Sequence, residues 1–321
     1  MTVFVHSWFR SGSTWLWAKF RDDSRFVAYY EPLNEELPLW TPQRLDTAAA
    51  RAFDGDNHPT VGKHYFYEYR DLIASDRLQF DRSISYERYL LDADEKDIPL
   101  RNYLSGLISG AAASGHRPAL CFCRSQMRSL WIKANFSGLH VAQIRNPWDQ
   151  WVSFGKHPYF KNRTLLTAYC IEKRRPGSFS HVSGFNELVS NWNRGKQAAF
   201  RDIDCFTAYI TIWIASSVQA CIASDILLDI DLIGTNTAAR RTIEHELRRS
   251  ALPADLSDCR QTQNDVTRRI PSDYNRELTK ALVALRGEQR RLLPSFEPGR
   301  LIDKLPHVSE RTAEILRQVL T

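Results

Sequence analysis

The chain opens with TVFVHSWFRSGSTWLWAKF, residues 2–20. Its first part, Thr2 to His6, is rich in β-branched and aromatic residues and predicts a short buried strand. From Leu16 to Phe20, apolar and basic residues recur at helical rather than alternating spacing and predict a helix. A small polar turn that contains Gly12 joins the two. Backbone N–H groups at a helix N-terminus point towards an anion placed there, and the helix dipole favours its negative charge.

The turn also carries side chains that can bind an anion. Ser11, Ser13 and Thr14 supply hydroxyl donors, and Arg10 adds a fixed positive charge with several N–H donors. The turn therefore predicts a phosphate or sulfate site. It does not match the nucleotide-triphosphate loop G-x-x-x-x-G-K-[ST], because it has one glycine and no Gly-Lys pair. A plain strand-to-helix turn would explain the segment equally well, so a second element has to decide.

The composition is that of an ordinary globular protein. The 321 residues suffice for one large α/β domain or two small ones, and 43% of them are hydrophobic and 25% charged. A net charge of +6 suits an anionic ligand but is too diffuse to indicate nucleic acid, so we expect no nucleic-acid partner. The sequence does not indicate an oligomeric state.

Cysteine usage and hydropathy indicate the compartment. Six cysteines occur without a C-x-x-C pair, and no His/Cys cluster has zinc-ligand spacing, so we expect reduced thiols in a cytoplasmic protein without a metal. The first strand begins near residue 2 without a basic segment before it, so we expect no signal peptide. Residues 205–224 carry no charge, but their threonine, serine and glutamine side chains favour a buried core helix over stable membrane insertion.

We expect a single α/β domain over residues 1–321, with a motif-bearing half at 1–155 and a mostly helical half at 156–321. The central sheet is expected to be parallel, with about five strands, and to be flanked by helices. Short apolar runs predict the later strands at residues 26–30, 119–123, 139–144 and 226–231. Helical patterns occur at residues 100–114, 126–136, 185–200, 205–224, 239–249, 275–292 and 309–320.

A second candidate anion-binding cluster follows the strand predicted at 139–144. Arg145 closes that strand, Pro147 suits the first turn of the next helix, and Asn146 can cap it. Ser153 lies two turns along this helix. An arginine at a strand end can bind a phosphate through two parallel N–H bonds, and the serine can add a third donor.

Ionisable side chains also follow two other predicted strands. Glu31 comes after the second strand and Arg124 after the strand at 119–123, and ligands gather beyond the carboxyl ends of parallel strands. An exposed loop glutamate would explain Glu31 as well. His64 and Glu68 lie at helical spacing in an aromatic segment that could form the wall of a substrate pocket, although packing of its rings against the core is an equal alternative.

Together, the two anion-binding clusters resemble those of the sulfotransferases that use 3′-phosphoadenosine 5′-phosphosulfate (PAPS), and the chain is most similar to bacterial members. The family has a loop [KR]-S-G-[ST]-[ST]-W after its first strand, which Arg10 to Trp15 match in full. It also has R-[DN]-P after a later strand and a serine in the next helix, which Arg145 to Pro147 and Ser153 match. The resemblance covers residues 2–155 by motif and the remainder only by its helical character.

The resemblance implies a P-loop NTPase-like sulfotransferase fold, with PAPS as donor, 3′,5′-adenosine diphosphate (PAP) as product and no metal. Ser11 to Thr14 would then hold the 5′-phosphosulfate. Arg10 would neutralise charge on the bridging oxygen as the S–O bond breaks. Trp15 would stack on the adenine, and Arg145 and Ser153 would bind the 3′-phosphate.

The resemblance also bears on the group that activates the acceptor. Cytosolic small-molecule members have a catalytic histidine where this chain reads RSQ from Arg124, so Arg124 can contact the sulfuryl oxygens but no histidine base is present. Carbohydrate members use a glutamate in an E-P-[LF] pattern, which the segment beginning at Glu31 matches. We therefore expect Glu31 to deprotonate the acceptor hydroxyl, with His64 and Glu68 as alternatives.

These features predict a cytoplasmic sulfotransferase whose acceptor is a small molecule, most simply a saccharide or glycolipid, since Glu31 follows the carbohydrate pattern. The family's C-terminal basic-glycine motif, which also binds the 3′-phosphate, is not evident, and Arg268 and Arg269 are the candidate substitutes. Two alternatives stay open. One is a P-loop kinase-like phosphotransferase with a degenerate loop, and the other is a non-catalytic nucleotide-binding protein of the same fold.

Overall fold

The computed structural model describes residues 1–48, 63–155, 157–193, 201–259, 271–287, 292–293 and 296–320. Within these residues, the central sheet consists of β1 (Thr2–His6), β2 (Phe26–Tyr30), β3 (Arg117–Phe122), β4 (Gly138–Ile144) and β5 (Ile226–Asp229). All neighbours pair in parallel, in the order β2-β3-β1-β4-β5. The predicted α/β class with a parallel five-stranded sheet is therefore confirmed.

Strand β1 lies at the centre of the sheet, between β3 and β4, and all of its residues are buried. After β1 the chain crosses to β2 on one side, whereas after β4 it continues to β5 on the other. The connections that leave the carboxyl ends of β1 and β4 thus run in opposite directions. Such a reversal opens a crevice between two loops, and α/β proteins bind their ligands in that crevice.

Helices flank the sheet. In chain order they are α1 (Ser13–Asp22), α2 (Pro42–Thr47), α3 (Arg70–Ala74), α4 (Ile98–Ala113), α5 (Ser129–Asn135), α6 (Pro147–Phe154), α7 (Pro158–Arg174), α8 (Phe185–Asn193), α9 (Asp202–Ala223), α10 (Ile230–Thr235), α11 (Thr237–Arg249), α12 (Ser272–Gly287), α13 (Pro298–Lys304) and α14 (Glu310–Arg317). Short 3₁₀ turns occupy Leu37–Leu39, Tyr67–Tyr69, Arg82–Ile84, Gln126–Arg128 and Leu305–His307.

Two predicted elements change their type of secondary structure at one end. The strand expected at 226–231 ends at Asp229, because this carboxylate accepts hydrogen bonds from the N–H groups of Asp231 and Leu232 and so caps α10. The helix expected at 126–136 begins as a 3₁₀ turn and becomes α-helical only at Ser129.

Helix α7 has no counterpart in the predicted pattern. Its buried face includes Thr164 and Thr167, whose hydroxyls donate to the carbonyl oxygens of Phe160 and Arg163 four residues earlier. Leu165, Ala168 and Ile171 recur at helical spacing on this face, but the two threonines beside them weaken the amphipathic pattern.

Helix α9 is the core helix expected at 205–224, and every residue from Cys205 to Ala223 is buried. Among the described residues it is the one helix long and apolar enough to cross a membrane, yet the rest of the fold encloses it. Its polar side chains have internal partners: Thr207 donates to Glu277 at 2.9 Å, and Gln219 donates to the Leu292 carbonyl oxygen at 2.9 Å. The prediction of a buried core helix is therefore confirmed.

Candidate functional site

The loop between β1 and α1 has the backbone conformation of an anion cradle. Arg10 and Gly12 both lie in the left-handed region, with φ values of 62° and 87°. Leu16 N–H donates to the Gly12 carbonyl oxygen at 3.2 Å, in the first turn of α1. By the geometry of a helix N-terminus, the N–H groups of Ser13 to Trp15 have no acceptor within the helix, and they can therefore donate to an anion.

The second predicted cluster contacts this loop. Arg145 Nη1 donates to the Arg10 carbonyl oxygen at 3.0 Å, and Arg10 Nε donates to Ser153 Oγ at 2.9 Å. Gln150 Nε2 also donates to the Phe9 carbonyl oxygen at 2.5 Å. Because β1 and β4 are parallel neighbours, their carboxyl ends meet at one edge of the sheet. The structure therefore brings together the two motifs that lie more than a hundred residues apart in the chain.

An acidic side chain also lies beside this cluster. The nearest carboxylate oxygen of Asp231 is 3.9 Å from Arg145 Nε, and its other oxygen accepts the Asn146 N–H at 2.6 Å. Burial raises the pKa of Asp231 to about 6, helped by the charge of Asp229 and opposed by that of Arg145. Asp231 was expected at the end of a strand, and the sequence carried no sign that it would neighbour Arg145.

The three predicted hydroxyls all have partners inside the protein. These pairs are Ser11 Oγ with the Trp8 carbonyl oxygen (2.7 Å), Ser13 Oγ with the Cys123 thiol (3.0 Å), and Thr14 Oγ1 with the Tyr30 hydroxyl (2.8 Å). Burial raises the pKa of the Cys123 thiol, which therefore stays protonated and donates to Ser13. Ser13 Oγ accepts that hydrogen bond, so its own hydroxyl hydrogen can be donated to another acceptor. The Ser11 hydroxyl instead donates to the Trp8 carbonyl oxygen and so stabilises the loop.

Trp15, the predicted adenine platform, is half-buried at the start of α1. The ammonium of Lys19, one turn later, lies 5.0 Å from the centre of its ring. A cation over an aromatic face is favourable, and it covers one face of the indole. Stacking of an adenine on Trp15 stays a prediction, and it would use the opposite face.

Gln143 of β4 is a residue of this site that the sequence did not single out. Its side chain is fully buried, and within the described residues neither amide atom has a hydrogen-bond partner. A Cβ atom added to Gly12 would lie 3.2 Å from Gln143 Nε2, so the amide packs directly against the loop. Buried polar groups are almost always satisfied, which indicates a ligand or water at this position. The available signal was a lone amide in an apolar strand, two residues before Arg145.

A second group of side chains lies at the ends of β2 and β3. Glu31 leaves β2 with a φ of 42°, and its Oε2 accepts hydrogen bonds from Arg124 Nη1 and, at 2.8 Å, from Asn34 Nδ2. Arg124 Nη2 donates to Glu35 at 2.9 Å, and Arg124 Nε donates to the Tyr86 hydroxyl at 3.2 Å. The predicted pair Glu31 and Arg124 is thus in direct contact.

This second group also contacts the loop between β1 and α1. Trp8 and Arg124 form an isolated antiparallel bridge, and the Arg124 guanidinium lies 4.8 Å from the centre of the Phe9 ring. Arg124 is only 1% exposed, so its charge acts inside the fold rather than in bulk water. The carboxyl ends of β1, β2, β3 and β4 therefore form one continuous site.

His64 and Glu68 belong to a different cluster, beside α1. The His64 ring lies 3.9 Å from that of Trp40 and its Nδ1 accepts the Phe66 N–H at 3.1 Å; burial lowers its pKa to about 4. Glu68 pairs with Arg21 at 2.8 Å, and burial raises its pKa to about 7. In the described part of the chain, no hydrogen bond or ion pair joins either residue to Glu31 or Arg124.

The helical spacing expected for His64 and Glu68 is wrong, because His64 precedes the 3₁₀ turn that contains Glu68. Arg268 and Arg269 lie outside the described residues. The described residues also contain no group of three or more His, Cys, Asp or Glu side chains placed to hold a metal ion. Comparison of the chain with protein-family models, with curated proteins and with solved structures found no match.

Proposed function

We propose that this protein is a sulfotransferase that moves the sulfuryl group of PAPS to an acceptor hydroxyl, that of a saccharide or glycolipid. The observation that carries the proposal is the convergence of two anion-binding clusters. Arg145 and Ser153 both bond to Arg10, beside a helix N-terminus that has N–H groups to donate. A donor with phosphate groups at two separate positions, as in PAPS, would occupy both clusters at once.

The residues of the crevice fit such a donor. The N–H groups of Ser13 to Trp15 would bind the 5′-phosphosulfate, and the unpartnered amide of Gln143 would add a donor below the loop. Arg145 and Ser153 would bind the 3′-phosphate through charge-assisted hydrogen bonds. Asp231 beside Arg145 would hold that guanidinium in place before the ligand arrives.

The transfer itself would use Glu31. Its Oε2 is held by Arg124 and Asn34, and within the described residues no hydrogen bond reaches Oε1. Oε1 would accept the proton of the acceptor hydroxyl while the hydroxyl oxygen bonds to sulfur. The bond between sulfur and the bridging oxygen breaks in the same step and leaves PAP, with Arg10 neutralising the charge that develops. Positioning and electrostatic stabilisation would supply most of the rate acceleration.

The experiment that tests the donor is calorimetric titration with PAP and with ATP plus magnesium. We expect PAP to bind more tightly than ATP-magnesium, and Arg145→Ala to weaken PAP binding by about 10- to 100-fold, which is typical for loss of a hydrogen-bonded charge. Ser153→Ala should weaken it less, because it removes a neutral donor.

The exposed residue Arg241 on α11 provides a matched control, since Arg241→Ala removes the same charge away from the crevice. Tighter binding of ATP-magnesium would favour the kinase-like alternative and overturn the proposal. PAP binding without transfer to any acceptor would instead favour a non-catalytic nucleotide-binding protein.

A further inference from the structure

A groove of about 670 Å³ has two walls. One is formed by residues 82–87, which follow α3, and the other by the C-terminal half of α7. Its lining includes three basic side chains, one acidic side chain and two tyrosines, namely Arg82, Lys173, Arg174, Glu87, Tyr86 and Tyr169. Among the hydrogen bonds and ion pairs given for the described residues, Tyr86 is the lining residue that bonds to the pair of Glu31 and Arg124 described above. The groove is thus distinct from the donor crevice.

The charges of the groove are only partly compensated by the protein. Arg174 forms an ion pair with Glu95. Arg82 and Lys173 are exposed, and in the described residues neither takes part in an ion pair. The groove therefore offers two cations to a ligand at little desolvation cost, together with the partly exposed ring of Tyr169.

Two contacts connect the groove to the proposed transfer site. The Tyr86 hydroxyl, on the groove wall, accepts a hydrogen bond from Arg124 Nε at 3.2 Å. Arg82 Nε, also on the wall, donates to the backbone carbonyl oxygen of Glu35 at 3.4 Å, and the Glu35 carboxylate pairs with Arg124. The Tyr86 side chain therefore separates a molecule in the groove from Arg124, which is the partner of Glu31.

We propose that this groove binds an anionic group of the acceptor, the carboxylate or sulfate of an acidic saccharide, while a neighbouring hydroxyl reaches Glu31. This inference rests on the proposed sulfotransferase function and adds the acceptor's charge to it. Arg82 and Lys173 would pair with the anionic group, and Tyr169 would pack against the sugar ring.

The test compares two disaccharides that differ only in a carboxylate, cellobiose and cellobiouronic acid. Binding is measured by titration calorimetry on the PAP-saturated protein at low ionic strength. We expect the acid to bind about tenfold more tightly than the neutral sugar, and the preference to shrink as salt is added, because exposed charges are screened. Lys173→Glu and Arg82→Glu should each abolish the preference.

Arg241→Glu is the matched control, since it makes the same charge change on an exposed helix face outside the groove. Equal affinity for the two sugars, or an unchanged preference in Lys173→Glu and Arg82→Glu, would overturn the inference. The two proposals fail separately. If the unaltered protein does not bind PAP, the donor assignment is wrong. If it binds PAP but shows no preference for the acidic sugar, only the proposed role of the groove is wrong.

Discussion

At the residue scale, Glu31 combines an unfavourable backbone conformation with a carboxylate whose hydrogen bonds from Arg124 and Asn34 both reach the same oxygen, Oε2. Its φ of 42° is uncommon for a residue with a side chain, and it follows directly after the last residue of β2. Strained positions persist where the surrounding structure over-determines them, and they cluster at functional sites. Arg124 and Asn34 both bind Oε2 and thereby fix the carboxylate plane.

The substitution Glu31→Gln tests whether this carboxylate is the base. The amide keeps the size of the side chain but cannot take a proton, so we expect sulfuryl transfer from labelled PAPS to saccharides to fall by about 10²- to 10⁴-fold. PAP affinity in calorimetry should stay within about twofold, because the anion cradle is made by other residues.

Glu35→Gln is the matched variant for this prediction. It removes the second carboxylate that pairs with Arg124, with the same change of charge, but leaves Glu31 in place. We expect a clearly smaller loss of transfer. Equal losses in the two variants, or none in Glu31→Gln, would show that Glu31 only positions Arg124 or has no part in the reaction.

At the element scale, local patterns predicted the strands and the turn between β1 and α1. β1, β2 and β4 are short apolar runs; Glu31 and Arg145 directly follow β2 and β4, and Arg10 lies in the loop after β1. Parallel strands in one sheet place these segments at the same edge. The contacts of Gln143 and Asp231 were not predictable, because they depend on how the loop after β1 packs against β4 and α10. No sequence periodicity encodes a contact of this kind.

Gly138, the first residue of β4, shows how tightly that strand packs against β1. A Cβ atom added there would lie 2.7 Å from both a ring carbon of Phe4 and the Thr2 carbonyl oxygen. Gly138→Ala should therefore lower the free energy of unfolding by about 1–3 kcal/mol through overpacking. Urea denaturation measures this change.

The control for this prediction is Gly299→Ala in α13, where no atom lies within 4 Å of the added Cβ. We expect that substitution to leave stability unchanged or to raise it slightly, because alanine favours a helix over glycine. A Gly138→Ala protein as stable as Gly299→Ala would show that β1 and β4 can move apart at this end.

At the scale of the whole molecule, a chain of buried polar side chains crosses the sheet beneath the site. His6 Nδ1 lies 2.8 Å from Ser125 Oγ, and His6 Nε2 lies 3.0 Å from His140 Nδ1. Burial lowers the pKa of His6 well below its ordinary value. It also lowers the pKa of His140 to about 4, with the charge of Lys133 acting in the same direction and that of Asp225 opposing it. Both imidazoles are therefore neutral in the folded protein near neutral pH.

These two histidines should make the fold less stable in mild acid. Between pH about 6.5 and about 4 an unfolded histidine binds a proton, whereas His140 in the folded protein does not, so the free energy of unfolding falls as pH falls by about 1.4 kcal/mol per pH unit for each such group. Glu68, whose pKa is raised to about 7, contributes with the opposite sign, since its stabilisation is present in acid and lost as pH rises through 7.

His140→Gln separates these contributions, because the amide can still hydrogen-bond to His6 but does not titrate. Urea denaturation between pH 5 and pH 7 should show a slope of unfolding free energy against pH that is smaller, on average over this range, by about 0.9 kcal/mol per unit than in the wild type. The control is His245→Gln, which removes an exposed histidine outside this polar chain. If His140→Gln leaves the wild-type slope unchanged, His140 is protonated equally in both states, and the polar chain beneath the site does not limit stability in acid.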